Sequence, residues 1–579
     1  MSASFPSRAR AAVMAAVAVA LFFFNWLFRF NDPGGSFAGL TDDHFFYLVR
    51  GWQILFGELP VRDFVDHGAP LFYYVGAAVQ WLGGRGTLSE LVFTVTVLSA
   101  CVSATFLLAT RVSGSIVIAL VAVAFQVLLE PRFYNYPKIL VYVAAIPAIW
   151  AVIDRVTTWR LALVALVTAV GFLFRHDHAA FVGVGMAVAL ASLTGVPWGR
   201  RVRHALVYGV LVLAMLAPYL AFIEVNGGFV SYLREGSEWA AHDRARAPVI
   251  WPGLFDNPDG VSDAAADGMG PGHVVAVLRD NRIAWLYYLE LILPVLALGV
   301  LALARDGFRP GWPRAVPKML VVCVLGLVLN AGFLRSPLAA RLADPSVPHV
   351  LLLAWMLAAA WALLVGRARG LRGPVDRHVR VATAGVVVAV AAVGLVSAAT
   401  LSHDLYDRLD NSTLLDGVPK AFDRGSFMWS RYADTWPIEK WVEPGTPHIL
   451  DLAVYLRDCT VPTDRIFMQH YLPQVLALSE RAFAGGHADL RPGFFGSEEA
   501  QQLTVARLAR QSVPVVLLAS GQDLENFRKE LPIVTAYFDE HYHLEGERSI
   551  DGRFEVTLLA ANDRRPIRRD PRFDWPCYR

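Results

Sequence analysis

Charge and cysteine are both scarce in this chain. Of 579 residues, only 18% are charged and four are cysteine, while 55% are hydrophobic. The mean hydropathy is +0.43. Long apolar runs with so little charge exclude an ordinary soluble globular domain. The cysteines form no metal-ligand motif. Cys101 and Cys323 lie in apolar runs and read as packing residues. Cys459 and Cys577 lie in polar sequence, where a disulfide is open to them if that region faces an oxidising compartment. HExxH, a nucleophile elbow and a paired Ser–Lys motif are missing, which argues against a membrane protease or phosphatase. There is no internal repeat of transporter type, and the glycine-rich string FAGGHADLRPGF lacks the spacing of a nucleotide-binding loop.

What is there is a series of apolar segments. They fall near residues 11–29, 88–109, 115–130, 138–153, 161–174, 179–194, 204–222, 284–303, 316–334, 346–365 and 380–399, which makes eleven spans. MSASFPSRARAA precedes the first, and FFFNWLFRF follows without a small-residue cleavage pattern, so the first helix is read as retained. Arg8, Arg10, Arg111, Arg155, Arg160, Arg200, Arg201, Arg203, Arg305, Arg309, Arg314, Lys318, Arg367, Arg369, Arg372 and Arg377 then share one side, the cytoplasmic one. The opposite, extracytoplasmic face gathers Asp42 to His67, Arg132 to Lys138, Arg175 to His178, the loop 223–283, and Arg335, Arg341 and His349.

The first outer loop, 30–87, carries TDDHFFYLVRGWQILFGELPVRDFVDHGAPLFYY. Phe45 to Phe56 has the pattern of an interfacial helix, with Tyr47, Trp52, Leu55 and Phe56 toward lipid, Arg50 and Gln53 toward water, and Gly57 as its stop. Pro70 to Trp81 is too short for a confident span and reads as a second interfacial helix ending at Gly83-Gly84. Beyond residue 400 charge rises and the long apolar runs cease. DRIFMQHYL, PVVLLAS and FEVTLLA read as strands, and HILDLAVYLRDC and EEAQQLTVARLARQ as helices. The expected organisation is a transmembrane part over 1–400 and a small extracytoplasmic α/β domain over 401–579.

Acids at a membrane surface are costly unless used. Asp42 and Asp43 head the first interfacial helix, where they either favour the helix N-terminus or act as a general base toward a hydroxyl. Asp63, Asp66 and His67 follow it and are suited to orienting a sugar, binding a metal or holding the loop. In PRFYNYPK, Tyr134 and Tyr136 accompany Lys138, which either snorkels or binds a phosphate. In RHDH, Arg175 can fork a phosphate, and Asp177 can orient His176 or His178 or pair with Arg175. A negatively charged headgroup with a lipid tail accounts for these cations.

The layout over residues 10–400 resembles the GT-C class of integral-membrane glycosyltransferases, which includes protein O-mannosyltransferases, the aminoarabinose transferase of lipid A and many bacterial envelope sugar transferases. The likeness is strongest at DDHFFYLVRGWQILFGELPVRDF followed by HGAPLFYY. It covers an acidic pair, a tyrosine just beyond, a glycine closing the helix and a proline-led second interfacial helix. Anchoring on Tyr47 makes Asp43 the catalytic acid, and anchoring on the acidic pair makes it Asp42; Asp43 is slightly preferred. Asn135 and Lys138 stand where the class often has an acid, a departure from the mannosyl and aminoarabinose enzymes toward other envelope transferases. The resemblance implies a GT-C fold in the bacterial cytoplasmic membrane, with its active site on the extracytoplasmic side. It also implies a polyprenyl-phosphate sugar donor and a glycan, lipid or protein acceptor of the cell envelope. Lys138, Arg175 and Arg335 would stabilise the leaving phosphate. Asp63, Asp66, His67, Tyr134, Tyr136, His176, Asp177, His178 and His349 would contact substrate. No cofactor is required, no metal ligand is named, and a divalent metal is permitted. Nucleic acid is not an expected partner. The competing readings are a lipid-linked glycan transporter, which needs polar residues at mid-membrane depth, and a non-catalytic envelope-glycan scaffold, which predicts that Asp42 and Asp43 are dispensable.

Overall fold

The computed structural model describes residues 8–34, 39–246, 251–254, 278, 280–303, 312–332, 341–365, 377–401, 405–438, 447–550 and 554–579. Arg335, and most of the second half of the loop 223–283, lie outside the described residues. The chain divides into two compact units. Unit one comprises Met1–Asp32, Thr94–Pro218 and Ala247–Gly425; unit two comprises Pro33–Phe93, Tyr219–Arg246 and Ser426–Arg579.

The apolar helices occupy the predicted places. They are α1 (Arg8–Asn31), α4 (Thr87–Ser113), α5 (Ile116–Leu128), α6 (Tyr136–Asp154), α7 (Thr158–Phe174), α8 (His176–Ala191), α9 (Trp198–Asn226), α11 (Arg282–Leu303), α12 (Ala315–Asn330), α13 (Ser346–Leu364) and α14 (Arg377–Leu401). Among the described residues, seven helices are long and apolar enough to cross a membrane, which makes this a polytopic helical membrane protein. The other four, α5, α7, α8 and α12, are shorter apolar helices of 10–17 residues.

Contacts inside unit one show what two of the short helices do. At one end of α6, Asp154 Oδ1 lies 2.5 Å from Lys318 Nζ on α12, and Arg314 donates to the Ile153 carbonyl. Arg160, at the start of α7, donates to the Ala151 carbonyl at 2.6 Å. At the other end of α6, Lys138 shares a small cavity with Arg175, which follows α7, and Gly332, which follows α12. So α7 and α12 run the length of α6. The loops predicted to be cytoplasmic meet one another: Arg10 also donates to the Gly114 carbonyl at 2.6 Å.

Unit two is built on α2 (Asp42–Leu55) and α3 (Pro70–Gly83). They pack closely where a Cβ on Gly51 would sit 3.0 Å from the Ala77 nitrogen. Gly57, at φ 89, ends the turn after α2 in a conformation that costs a residue with a Cβ. The C-terminal part is α/β. Strands β1 (Arg465–Met468), β2 (Ala482–Phe483), β3 (Val515–Ala519), β4 (Tyr542–Ile550) and β5 (Phe554–Ala561) form one sheet in the order β2-β1-β3-β5-β4. β1 is parallel to β2 and β3, whereas β5 is antiparallel to β3 and β4. In chain order α15 (Leu405–Asn411) and α16 (Val418–Ala433) follow α14, and helices α17 (Pro447–Cys459), α18 (Pro473–Ser479), α19 (Glu498–Leu508), α20 (Gly521–Glu530) and α21 (Pro532–His541) accompany the sheet. Phe467, Val516, Leu518, Phe527 and Phe538 form the core of this part. The predicted strands and helices are all present. Cys459 and Cys577 are joined in a disulfide, and Cys101 and Cys323 are buried free thiols.

One expectation is corrected. Arg50 and Gln53 were assigned to water, yet they are 1% and 0% exposed. Gln53 donates to the Phe483 carbonyl of β2 at 3.0 Å, and the Arg50 guanidinium lies 3.4 Å from the centroid of the Phe46 ring. The polar side of α2 faces protein. Trp52, assigned to lipid, is also buried and donates to Gln80 at 3.3 Å.

Candidate functional site

Asp42 and Asp43 occupy the first turn of α2, after the N-cap Thr41. Negative charge is favoured there by the helix dipole. The Thr41 side chain makes no capping hydrogen bond, and among the described residues neither acid accepts from a backbone N–H. Asp43 is half-buried and its Oδ1 accepts from the Tyr471 hydroxyl at 2.7 Å. Burial first, and then Asp43, push the Tyr471 phenol far above its ordinary value, so it stays a donor. Asp42 is exposed and accepts no hydrogen bond from a described residue. The surrounding protein, and then the neighbouring Asp43, hold its carboxyl above the usual range.

The acids after α2 have different duties. Asp63 accepts from the Leu59 N–H at 2.8 Å and from the Arg62 guanidinium, which holds the loop. Asp66 Oδ1 accepts from the Gly68 and Ala69 N–H groups at 2.9 and 3.0 Å. Its Oδ2 accepts from Tyr219 and, at 2.8 Å, from Tyr232 on α10 (Phe229–Arg246). Four donors saturate this carboxylate, which makes it an anchor for α10. His67 is ringed by Phe46, Trp239 and Phe495, with centroids at 5.3, 5.2 and 6.1 Å. Burial, then Arg50, His487 and Arg491, keep its imidazole neutral well below the ordinary histidine value. Among the described residues no group of three or more His, Cys, Asp or Glu side chains could hold a metal ion.

In unit one, Lys138 and Arg175 line a cavity of 30 Å³ with His178, Arg341 and Asp344. Among the described lining residues three cations face one carboxylate, which favours an anion even with Asp177 paired to Arg175 from outside the lining. The two described phosphate-ligand candidates, Lys138 and Arg175, each already have an acidic neighbour. Lys138 Nζ is 2.6 Å from Asp344 Oδ2, and Arg175 forks Asp177 with its Nε at 2.7 Å. Asp177 therefore pairs with Arg175, while His178 Nδ1 meets the Tyr142 hydroxyl at 2.8 Å. His176 stacks on Phe172 at 4.2 Å. Tyr136 is buried with its ring against Phe174, a packing role, and Tyr134 is half-buried. His349 is fully buried on α13 with its Nδ1 3.8 Å from Glu290 on α11, and it is not among the described residues that line the cavity.

Sequence reasoning missed Tyr471, Tyr219, Tyr232, Asp344 and Glu290. Tyr471 is 428 residues from Asp43, and no local pattern links them. Glu290, alone in an apolar run, was the one with a usable signal.

No family model and no curated protein matches the chain. Among solved structures, it is similar to ArnT from Cupriavidus metallidurans bound to undecaprenyl phosphate, at 12% identity and a TM-score of 0.48, over 96% of this chain and 98% of that one. It is also similar to the apo state of ArnT from the same organism, at 13% identity and a TM-score of 0.41, over 95% and 98%.

Proposed function

We propose that this chain is an inverting glycosyltransferase that moves a sugar from a polyprenyl-phosphate donor to an acceptor hydroxyl of a cell-envelope glycan, lipid or protein. It would work in the bacterial inner membrane with its active residues on the outer face and all eleven apolar helices crossing. The observation that carries this is the state of the acidic pair. Among the described residues neither acid accepts from a backbone N–H, Asp43 is oriented through one oxygen by Tyr471, and its other oxygen has no partner. That is how a general base is presented. The outer location is supported by the basic-residue pattern and by the Cys459–Cys577 disulfide, which needs an oxidising compartment.

In this mechanism the acceptor oxygen attacks the anomeric carbon as its proton passes to Asp43. The bond from that carbon to the phosphate oxygen breaks, and the phosphate leaves with the electron pair. Lys138 and Arg175, with Arg335 as a third candidate, would stabilise the developing charge. A single displacement inverts the anomeric centre. Asp344 and Asp177 must yield to the phosphate or share the cations with it. Fixed cations can do this work, so a divalent metal is not required.

The test is binding of a polyprenyl phosphate to the detergent-solubilised full chain. Lys138→Ala and Arg175→Ala should each weaken it about tenfold or more, the loss of one charge-assisted contact. Arg175→Lys should not restore it, because an ammonium lacks the fork. Unchanged binding in both folded alanine variants would leave these residues as helix-end cations only.

A further inference from the structure

A second cavity, of 340 Å³, lies wholly within unit two and is not used by the mechanism above. Its size falls in the range of small-molecule sites, about 300–1,000 Å³. Glu235, Glu238 and Trp239 of α10 line one part, and Phe494, Phe495 and Glu530 another. Trp239 and Phe495 are half-buried, so each retains an accessible face. Glu235 is half-buried and accepts no hydrogen bond from a described residue. Among the described residues that line it there is no lysine or arginine.

This composition matches one ligand chemistry. A sugar ring has apolar C–H faces that lie on aromatic rings, and hydroxyls that donate to carboxylates. Three carboxylates among the described lining residues disfavour phosphate or uronate groups, an effect reduced by Arg507 and Arg234, whose charges also reach Glu235. The position is informative too. Trp239 lies seven residues after Tyr232, on the same face of α10, and Tyr232 is tied to Asp66 at 2.8 Å. The Trp239 and Phe495 rings both touch His67, His67 touches Phe46, and Phe46 touches Tyr471 at 5.6 Å, the residue that holds Asp43. An unbroken series of ring contacts thus links the cavity to the proposed base. We propose that this cavity seats a saccharide unit of the acceptor, and that the unit is neutral or carries an amino group. The acceptor role rests on the glycosyltransferase function proposed above; saccharide binding does not.

The test is saturation-transfer NMR on the solubilised full chain with three probes: maltotriose, a glucosamine trimer and trigalacturonate. Maltotriose or the glucosamine trimer should bind, and trigalacturonate should not. Trp239→Ala should weaken binding about tenfold. Trp239→Tyr keeps an aromatic face and should retain it, which guards against a folding defect. The double variant Glu235→Gln, Glu238→Gln should narrow the gap between trigalacturonate and the others. Wild-type protein that binds neither maltotriose nor the glucosamine trimer, or binds trigalacturonate equally well, overturns the assignment. So does binding indifferent to Trp239→Ala. Polyprenyl phosphate binding, measured in parallel, separates the two proposals. Its persistence alongside absent saccharide binding sinks the cavity alone, whereas saccharide binding alongside unimpaired transfer by both acidic-pair variants sinks the transfer mechanism alone.

Discussion

Replacing Asp43 with asparagine changes charge but hardly shape, and the structure indicates what else it changes. Asp43 Oδ1 accepts from Tyr471 at 2.7 Å, and an asparagine carbonyl can accept the same bond. The bond weakens from the charged class, about 1.5–3 kcal/mol, to the neutral class, about 0.5–1.5 kcal/mol. The favourable position in the first turn of α2 is worth a further ~0.3–1 kcal/mol. The expected stability cost is therefore about 1.3–2.5 kcal/mol, which a folded protein tolerates. Loss of a general base costs roughly 100- to 10,000-fold in rate, or about 3–5 kcal/mol in the transition state. The two effects differ enough to be separated.

The assay is single-turnover transfer of labelled sugar from a polyprenyl-phosphate donor to envelope acceptor in membrane vesicles, with fold and donor binding followed alongside. Asp43→Asn should fall by that factor with donor binding intact. Asp42→Asn should retain most activity, since Asp42 is exposed and accepts no bond from a described residue. Tyr471→Phe keeps the carboxylate but removes its orienting donor, and should lie between the two. A dead Asp42 variant beside an active Asp43 variant would move the base to Asp42. Near-normal transfer by both would refute the mechanism.

Two further outcomes follow from unit two. Cys459 and Cys577 are 118 residues apart, for which loop closure predicts about 4–5 kcal/mol of stabilisation, and measured disulfides more often give about 2–4 kcal/mol. The Cys459→Ser, Cys577→Ser variant should melt lower and lose its sensitivity to reductant, and wild-type protein denatured without reductant should show two reactive thiols, four being the result that rejects the bond. His67 and His487 are both held neutral well below the ordinary histidine value, chiefly by burial. Below about pH 6.5 the unfolded chain binds protons that the native state does not, so stability falls as pH drops, by at most about 1.4 kcal/mol per unit for each histidine. His67→Gln should flatten the melting profile between pH 7 and 5, and an unchanged slope would show that His67 binds protons as readily in the native state as in the unfolded chain.

The sequence was most legible where periodicity and burial agree. Strands β1, β3 and β5 are buried and the apolar helices carry long uncharged runs, and in both cases the hydrophobic run announces the element. β4, YHLEGERSI, was not legible, because it is a mostly exposed edge strand whose existence depends on pairing with β5. Helices α20 and α21 were missed for a related reason: GQDLENFRKE is largely exposed, and its apolar anchor Phe527 buries against Phe467 some 60 residues away in sequence. In the site, Lys138 and Arg175 were legible as basic residues at the ends of apolar runs. Their carboxylate partners were legible only in part: Asp177 is two residues from Arg175, whereas Asp344 is 206 from Lys138.

The α2 helix shows how a correct period can carry a wrong face. Amphipathicity fixes which residues lie together, and assigning that side to water assumes that nothing else covers it. Here β2 and its neighbours cover it. A buried guanidinium is tolerated because it lies over the Phe46 ring and donates to the Phe46 carbonyl at 3.0 Å, and a buried amide because it meets Phe483 and Glu58. A helix resting on a membrane surface would let the acids at its head move with the lipid. A helix clamped through Gln53 and Gly51 cannot rotate without breaking buried polar contacts, each about 1–3 kcal/mol to leave unmade. Position 43 is thereby fixed relative to Tyr471 by the α/β part of the chain. The C-terminal region is accordingly part of the proposed active site, where a separate appendage would leave Asp43 unoriented.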